Sequence, residues 1–210
     1  MKRIHFILIT FFVCYLMSVT EVLSFSRSDV ATYGGNYCGQ PNNDSDYNVE
    51  DNPNHDPDSY YKNYNSVGGD CANFVSQCLI EGGLDLSDGP GVYGERHINN
   101  QWVYATIIRC EHLDQHLVNS QYAEYSSISN SGSPPDNLTS GDVIIFGGHN
   151  PNDSYEHAVI VVGGSGNSCI VDAHTNHREH IRWNYGFPNY LDNSSFLSYS
   201  GCSCNYEYSR

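Results

Sequence analysis

The sequence has few basic residues. Among its 210 residues it holds nine Lys and Arg against 24 Asp and Glu, which gives a formal net charge of −15 at pH 7. A surface of this sign repels phosphate backbones and anionic lipid headgroups. We therefore expect neither a nucleic-acid partner nor a membrane partner for the mature chain.

Long apolar runs are also scarce and occur only near the N-terminus. Lys2 and Arg3 precede an apolar stretch from about residue 4 to residue 19, and small residues follow up to Ser24. This order is typical of a secretory signal peptide, and the stretch is short of the ~20 residues that a membrane anchor, the alternative, would need. We predict a signal peptide over residues 1–24, a single domain over residues 25–210, and an extracellular location.

Four N-x-S/T triplets lie in polar, loop-like contexts, which is consistent with a secreted glycoprotein. They are at Asn43, Asn137, Asn152 and Asn193. Because such triplets are common by chance, they only support the prediction of secretion.

The cysteine count is even, but it becomes odd once the signal peptide is removed. Eight cysteines are present, and Cys14 would leave with the leader. In an oxidising compartment an odd number leaves at least one thiol unpaired. Setting Cys71 aside leaves six, the number for three disulfide bonds, although the count alone does not identify the free thiol. The six, whose pairing the sequence does not assign, are Cys38, Cys78, Cys110, Cys169, Cys202 and Cys204.

The segment "DCANFVSQCLIEGG", which starts at Asp70, has the apolar spacing of a helix. Apolar residues stand at i+3, i+4, i+7 and i+8 from Cys71, which predicts one buried stripe. They are Phe74, Val75, Cys78 and Leu79. Asp70 is a favoured N-cap residue, and the pair Gly82-Gly83 predicts the end of the helix.

Other segments give weaker patterns. The stretch "SDVATYGGNYCG", from Ser28, predicts a short helix that breaks at its glycines, and "NNQWVYATIIRCEHLDQHLV", from Asn99, has helical spacing. An apolar run at 143–146 predicts a strand, and "HAVIVVGGSGNSCIVDAHT", from His157, predicts a hairpin. A helix followed by strands is the order of an α+β domain, with the helix packed on an antiparallel sheet.

Cys71 falls in the first turn of the predicted helix. Free N–H groups and the helix dipole favour a thiolate there. With the hairpin turn centred near Ser165, His157 would stand opposite about residue 173, so either Asp172 or His174 would lie beside it. A histidine held by a polar neighbour and facing a cysteine is the arrangement of a cysteine hydrolase.

Four segments together resemble a known family. "DCANFVSQCL", "GDVIIF", "HAVIVV" and "DAHT", in this order, are similar to the putative amidase domain family of papain-like cysteine hydrolases, which is akin to the NlpC-type cell-wall endopeptidases. The first segment is specific, and the other three gain weight from their order. The similarity covers roughly residues 60–180, with a fainter echo from about Ser28.

The resemblance implies a papain-like α+β fold with Cys71 as the nucleophile and His157 as the general base. The third polar group falls on His174, with Asp172 as a rival, and Tyr64 matches an aromatic position that helps to build the site. The implied reaction is cleavage of an amide bond through a Cys71 thioester, without a cofactor or a metal. The implied substrate is a peptidoglycan stem peptide or another small amide or peptide, and we expect a monomer.

Two alternatives stay open. The first is a catalytically inactive secreted module, stabilised by disulfide bonds, that holds a glycan or peptide. The second is a zinc site, because imidazole is a common zinc ligand and several histidines are close in sequence. They are His149, His174, His177 and His180.

Overall fold

Three helices and two antiparallel sheets make up the described part of the chain. The computed structural model describes residues 25–38, 59–62, 64, 70–99, 101–120, 124–127, 136–147, 155–174, 178–184 and 194–198, all of which belong to one unit, Phe25–Cys202. The helices are α1 (Arg27–Tyr37), α2 (Asp70–Glu81) and α3 (Cys110–Asn119). This arrangement confirms the α+β class with an antiparallel sheet.

The smaller sheet has three strands in the order β1-β2-β3. They are β1 (Ser59–Tyr61), β2 (Val92–Ile98) and β3 (Gln101–Ile107). The larger sheet has six strands in the order β4-β9-β5-β6-β7-β8. They are β4 (Glu124–Ser127), β5 (Val143–Gly147), β6 (Tyr155–Gly163), β7 (Ile170–Ala173), β8 (Arg178–Arg182) and β9 (Ser194–Ser198).

Helix α2 is buried along almost its whole length. It packs against α1, against β6 of the larger sheet and against β3 of the smaller one, so the predicted apolar stripe is confirmed and the polar faces are covered as well. On the polar side, the hydroxyl of Ser76 donates to the carbonyl of Ile107 (3.1 Å) and accepts from its N–H (3.2 Å). These bonds satisfy buried polar groups that would otherwise destabilise the packing.

The predicted end of α2 is confirmed. Gly83 has φ of 95°, its N–H bonds to the carbonyl of Ile80, and the N–H of Leu84 bonds to the carbonyl of Leu79. This is a Schellman motif, in which glycine takes the left-handed position without steric cost. At the other end, Asp70 is the first helical residue and not the N-cap.

Helix α1 does not break at its glycines, contrary to the prediction. It runs through Gly34 and Gly35 because the helix lies very close to β6 there. A Cβ on Gly34 would lie 2.9 Å from Cγ1 of Val162 and 3.1 Å from Cγ2 of Ile160. Close packing against the sheet thus outweighs the low helix propensity of glycine.

The segment from Asn99 is only partly helical, which corrects another prediction. Residues 101–107 form β3, paired with β2 across a turn at Asn99, which has φ of 50°. Helix α3 begins only at Cys110. Trp102 and Tyr104 lie on β3, where they are 47% and 65% exposed. Pairing with β2 overrides the helical spacing, which is a weak signal in a run this short.

The strand at 143–146 and the hairpin of β6 and β7 are both confirmed. The hairpin register is different from the predicted one: Ile160 pairs with Asp172 and Val161 with Val171. If this register were extended to His157, the opposite position would be 175, two residues beyond the predicted position 173. A bulge near Gly163 and the turn at Gly166–Ser168 account for the shift.

Several predictions fall on residues outside the described ranges. They concern the signal peptide, three of the four N-x-S/T triplets, and Cys14, Cys202, Cys204, His149 and His177. The remaining triplet begins at Asn137, which is exposed. Within the described residues, no helix combines the length and the apolar character that crossing a membrane requires.

Candidate active site

Cys71 lies in the first turn of α2, against strand β6. The side chain is 6% exposed. From β6 the backbone N–H of Ala158 donates to the sulfur, and the His157 imidazole interacts with it. The structure therefore brings together the cysteine and the histidine that the sequence singled out.

A second cysteine lies next to the first. The sulfurs of Cys71 and Cys110 are 3.5 Å apart and are not bonded to each other. Cys110 is the first residue of α3, so two helices begin side by side with a thiol in each first turn. Both thiols therefore lie where free N–H groups and the helix dipole favour a negative charge.

The pair shares a proton unequally. Hydrogen bonding from the Cys110 thiol lowers the pKa of Cys71 most; burial opposes this, and His157 and the Ala158 N–H lower the pKa further, to well below its usual value. The pKa of Cys110 rises well above its usual value, because of its bond to Cys71 and its burial. Of the two thiols, Cys71 is therefore the one that gives up its proton more readily.

The other described cysteines have the opposite character. Burial raises the pKa of Cys38 and Cys78 strongly and that of Cys169 to about 11. All five described cysteines are free, which corrects the prediction of disulfide bonds for the four of them other than Cys71. Cys169 packs in a different core cluster from Cys38 and Cys78, and the Cys110 sulfur lies beside that of Cys71.

His174 lies at the start of α2, beside Asp70. Its Nδ1 is 2.7 Å from Oδ2 of Asp70, its Nε2 is 3.0 Å from the carbonyl oxygen of Tyr37, and its ring stacks on Phe74 with centroids 4.0 Å apart. Both ring nitrogens are therefore engaged. The Tyr37 carbonyl can only accept, so Nε2 carries a proton.

Asp70 is held as a buried carboxylate. Burial tends to raise the pKa of Asp70, but the bonds from His174, from the Tyr64 N–H and from the Asn73 amide outweigh it and bring the pKa below its usual value. With Asp70 ionised, Nδ1 of His174 must also donate, which makes this contact an ion pair. The pair fixes the residue that immediately precedes Cys71.

Tyr64 supports this end of α2 mainly through its backbone. Its N–H donates to Oδ1 of Asp70 (2.8 Å), and its hydroxyl accepts from the N–H of Glu95 (2.8 Å). Asn73 binds the same carboxylate and the Lys62 carbonyl, and accepts from the Thr106 hydroxyl at 2.6 Å. These contacts tie the start of α2 to the smaller sheet.

Asp172, the rival third group, pairs across the hairpin with Ile160 and shares its strand face. Its Oδ1 accepts the N–H of His180. Burial raises the pKa of Asp172, and the bond from His180 offsets part of that rise. The assignment of either Asp172 or His174 as the group that orients His157 stays a prediction.

Sequence reasoning missed Cys110, Phe74 and Asn73 as parts of the site. Cys110 is 39 residues from Cys71, and no local spacing signals such a contact. Phe74 belongs to the predicted apolar stripe, but its stacking on His174 depends on the approach of β7. The polar residues inside the "DCANFVSQ" segment were the available clue, because a buried helix needs partners for them.

Comparison with known families gives a match that covers most of the chain. A family model described as "Putative amidase domain" matches residues 24–199. The chain belongs to this family. Membership indicates hydrolysis of an amide bond, and hence an amide substrate. No curated protein and no solved structure matches the chain.

The pH dependence of alkylation should distinguish Cys71 from the other cysteines of this protein. Since the pKa of Cys71 is lowered, the rate of its labelling by iodoacetamide should reach half its maximum at a pH below about 8.5, the ordinary pKa of a cysteine thiol. His157→Ala should move the midpoint upward, because the thiolate loses one of its partners. The measurement is the rate of labelling at each pH, located by peptide mass spectrometry.

Cys78 and Cys169 serve as internal controls in the same digest. Both are buried and have a raised pKa, so they should stay unlabelled under native conditions at neutral pH. Labelling of Cys71 that began only above pH 8.5, or that His157→Ala left unchanged, would contradict the thiolate assignment.

Proposed function

We propose that this protein is a papain-like cysteine hydrolase that cleaves an amide bond through a thioester on Cys71. The observation that carries the proposal is the lowered pKa of Cys71, in contact with His157 and with the N–H of Ala158 at the start of a helix. Family membership supports the reaction class. A reactive thiolate needs this kind of environment, whereas a structural cysteine does not.

In the first half of the reaction, the Cys71 thiolate attacks the amide carbonyl carbon. The carbonyl oxygen becomes an oxyanion, and the backbone N–H of Cys71 at the helix start is placed to donate to it. His157, which holds the proton given up by the Cys71 thiol, then protonates the leaving nitrogen as the C–N bond breaks, which releases an amine and leaves a thioester.

In the second half, water hydrolyses the thioester. His157 takes one proton from the water as its oxygen attacks the carbonyl carbon, and the C–S bond breaks to give the thiolate again and a carboxylic acid, which loses its proton to solvent. The Cys110 thiol lies 3.5 Å from the Cys71 sulfur, so its part is to hold the thiolate by a hydrogen bond. Asp70 and His174 position the helix start and touch no reacting atom.

The proposed substrate is a peptidoglycan stem peptide or another small peptide, hydrolysed outside the cell by a monomeric, glycosylated enzyme. The signal-peptide pattern supports secretion, and the similarity of four segments to cell-wall hydrolases supports the substrate class. An N-terminal sequence of the secreted protein starting near Phe25 would check the first point.

A panel of stem peptides and unrelated short peptides tests the activity. The full-length protein, kept in a thiol reductant so that Cys71 and Cys110 stay reduced, should release an amine and a carboxylate from at least one member. Prior alkylation with iodoacetamide should abolish release. Hydrolysis that survives alkylation of Cys71 would contradict a cysteine mechanism, and tight retention of glycan or peptide without any cleavage would favour the binding module.

A further inference from the structure

A second group of donor side chains lies between the C-terminal end of α1 and strands β7 and β8. It consists of Cys38, Asp172 and His180, each of which offers one ligand atom within 4.8 Å of the other two. Cys38 and Asp172 are fully buried, and the His180 side chain is 54% exposed. None of the three has a part in the proposed hydrolysis, so the group needs its own explanation.

One oxygen of the buried carboxylate is poorly satisfied. Within the described residues, Oδ2 of Asp172 is inaccessible and makes no hydrogen bond of good geometry, although the Cys38 thiol interacts with the carboxylate. Oδ1 accepts the N–H of His180 and lies 3.6 Å from its Nδ1. Gly35 keeps space open beside it, since a Cβ there would lie 4.0 Å from Oδ2 and 3.4 Å from Nε2 of His180. A buried polar atom without a partner is unfavourable unless something else binds it.

His180 has an unusual backbone conformation. Its φ is 50°, in the left-handed region that a non-glycine residue seldom adopts. It lies at an irregularity in the β7–β8 pairing, where Val171 pairs with Ile181 and Ala173 with Arg178, so that Glu179 and His180 both stand opposite Asp172. Glycine is the usual residue in the left-handed position of such a bulge. A histidine at this position has an unfavourable backbone conformation, but its imidazole is placed beside Asp172.

We propose that Cys38, Asp172 and His180 bind one Zn²⁺ ion. A thiolate, an imidazole and a carboxylate are the donors that zinc prefers, whereas calcium and magnesium prefer sites built from oxygen alone. Three protein ligands leave a fourth position for water on the exposed side of His180. Tetrahedral binding needs ligand atoms roughly 3.5 Å apart, and rotation of the half-exposed imidazole closes the remaining distance.

The ion would join α1 to the β7–β8 hairpin next to the ion pair at the start of α2. Cys38 follows Tyr37, whose carbonyl accepts from His174, and Asp172 precedes His174 by two residues on the same strand face. The proposed site shares His180 with the run of histidines that the sequence suggested. It does not include His174, because both nitrogens of that ring are already engaged.

Titration of the full-length protein with Zn²⁺ in a non-chelating reductant, followed by calorimetry, tests the proposal. We expect one equivalent to bind, and we expect His180→Gly to weaken binding at least tenfold. Because glycine fits φ of 50°, the same variant should have a higher Tm than the wild type without metal. Co²⁺ in place of zinc should give a sulfur-to-metal charge-transfer band that Cys38→Ser removes.

Matched controls are Cys169→Ser and His97→Ala, which change a cysteine and a histidine outside the group and should leave zinc binding as in the wild type. If Cys38→Ser fails to fold, His180→Gly still decides, since its side chain is half exposed. The proposal is overturned if no stoichiometric binding occurs, if His180→Gly binds zinc like the wild type, or if only His177→Ala abolishes binding.

Discussion

The Cys71→Ala variant is expected to lower kcat for amide hydrolysis by about 10⁴-fold or more. Alanine removes the only atom that forms a covalent bond with the substrate in the proposed mechanism. His157→Ala should cause a loss of similar size, because it removes both the proton donor for the leaving amine and a partner of the thiolate. The double variant should be no slower than Cys71→Ala, since the two groups act as a unit.

The measurement is kcat and KM for the substrate found in the panel, under a thiol reductant, for each single variant and the double one. Cys169→Ala is the matched control, because this cysteine is buried in the other core cluster and should leave kcat unchanged. A Cys71→Ala variant that retained most of its kcat would rule out the thioester. A double variant far slower than either single one would mean that the two side chains act independently.

The Asp70→Ala variant is expected to destabilise the protein by about 3–5 kcal/mol, the usual cost of breaking a buried ion pair from one side. It leaves the buried His174 without its carboxylate partner, and it removes the acceptor of the Tyr64 N–H and the Asn73 amide. The free energy of unfolding, measured by urea denaturation at pH 7, gives the size of the loss. Activity should fall as well, because Cys71 is the next residue.

The same carboxylate predicts a dependence of stability on pH. Its folded pKa lies below its usual value, so the stabilisation is fully present above the unfolded pKa of about 3.9 and is lost as pH falls through the folded value. In this acid range the wild type should lose stability more steeply than Asp70→Asn. Equal slopes for the two proteins would contradict the assigned ionisation.

Two further variants test whether Asp70 and His174 stabilise each other. Lys62→Ala removes a half-exposed lysine that pairs with Glu95, and a surface pair of this kind contributes at most about 1 kcal/mol. The double variant Asp70→Ala, His174→Ala should lose less than the sum of the two single losses, because it leaves no charge unpaired. Additive losses would show that the two side chains do not stabilise each other.

Local patterns determined a large part of the fold. The apolar spacing after Cys71 predicted α2, and the two glycines predicted its end, since both follow from the geometry of a single helix. Two β-branched runs around a Gly/Ser/Asn turn predicted β6 and β7, because a strand and its turn are also local patterns. Placing Cys71 in the first turn of a helix needed only the residues around it.

Long-range packing decided the rest. The glycines within α1 predicted a break in the helix, but β6 lies against Gly34 and the helix continues. The segment at 101–107 predicted a helix, but it pairs with β2 as a strand. A bulge and a turn shifted the β6–β7 register by two residues, and the contact of His174 with Asp70 joins residues 104 positions apart.

The sequence by itself therefore determined the α+β class, the helix that carries Cys71 and the identity of the cysteine and histidine of the candidate site. Only the tertiary structure decided that Cys110 hydrogen-bonds the Cys71 sulfur, that His174 holds Asp70, and that Cys38, Asp172 and His180 meet. The reason is physical: helix and strand patterns repeat within a few residues, whereas these contacts join residues 39 or more positions apart along the chain. The exception is Asp172 and His180, which are eight residues apart and are brought together by a bulge.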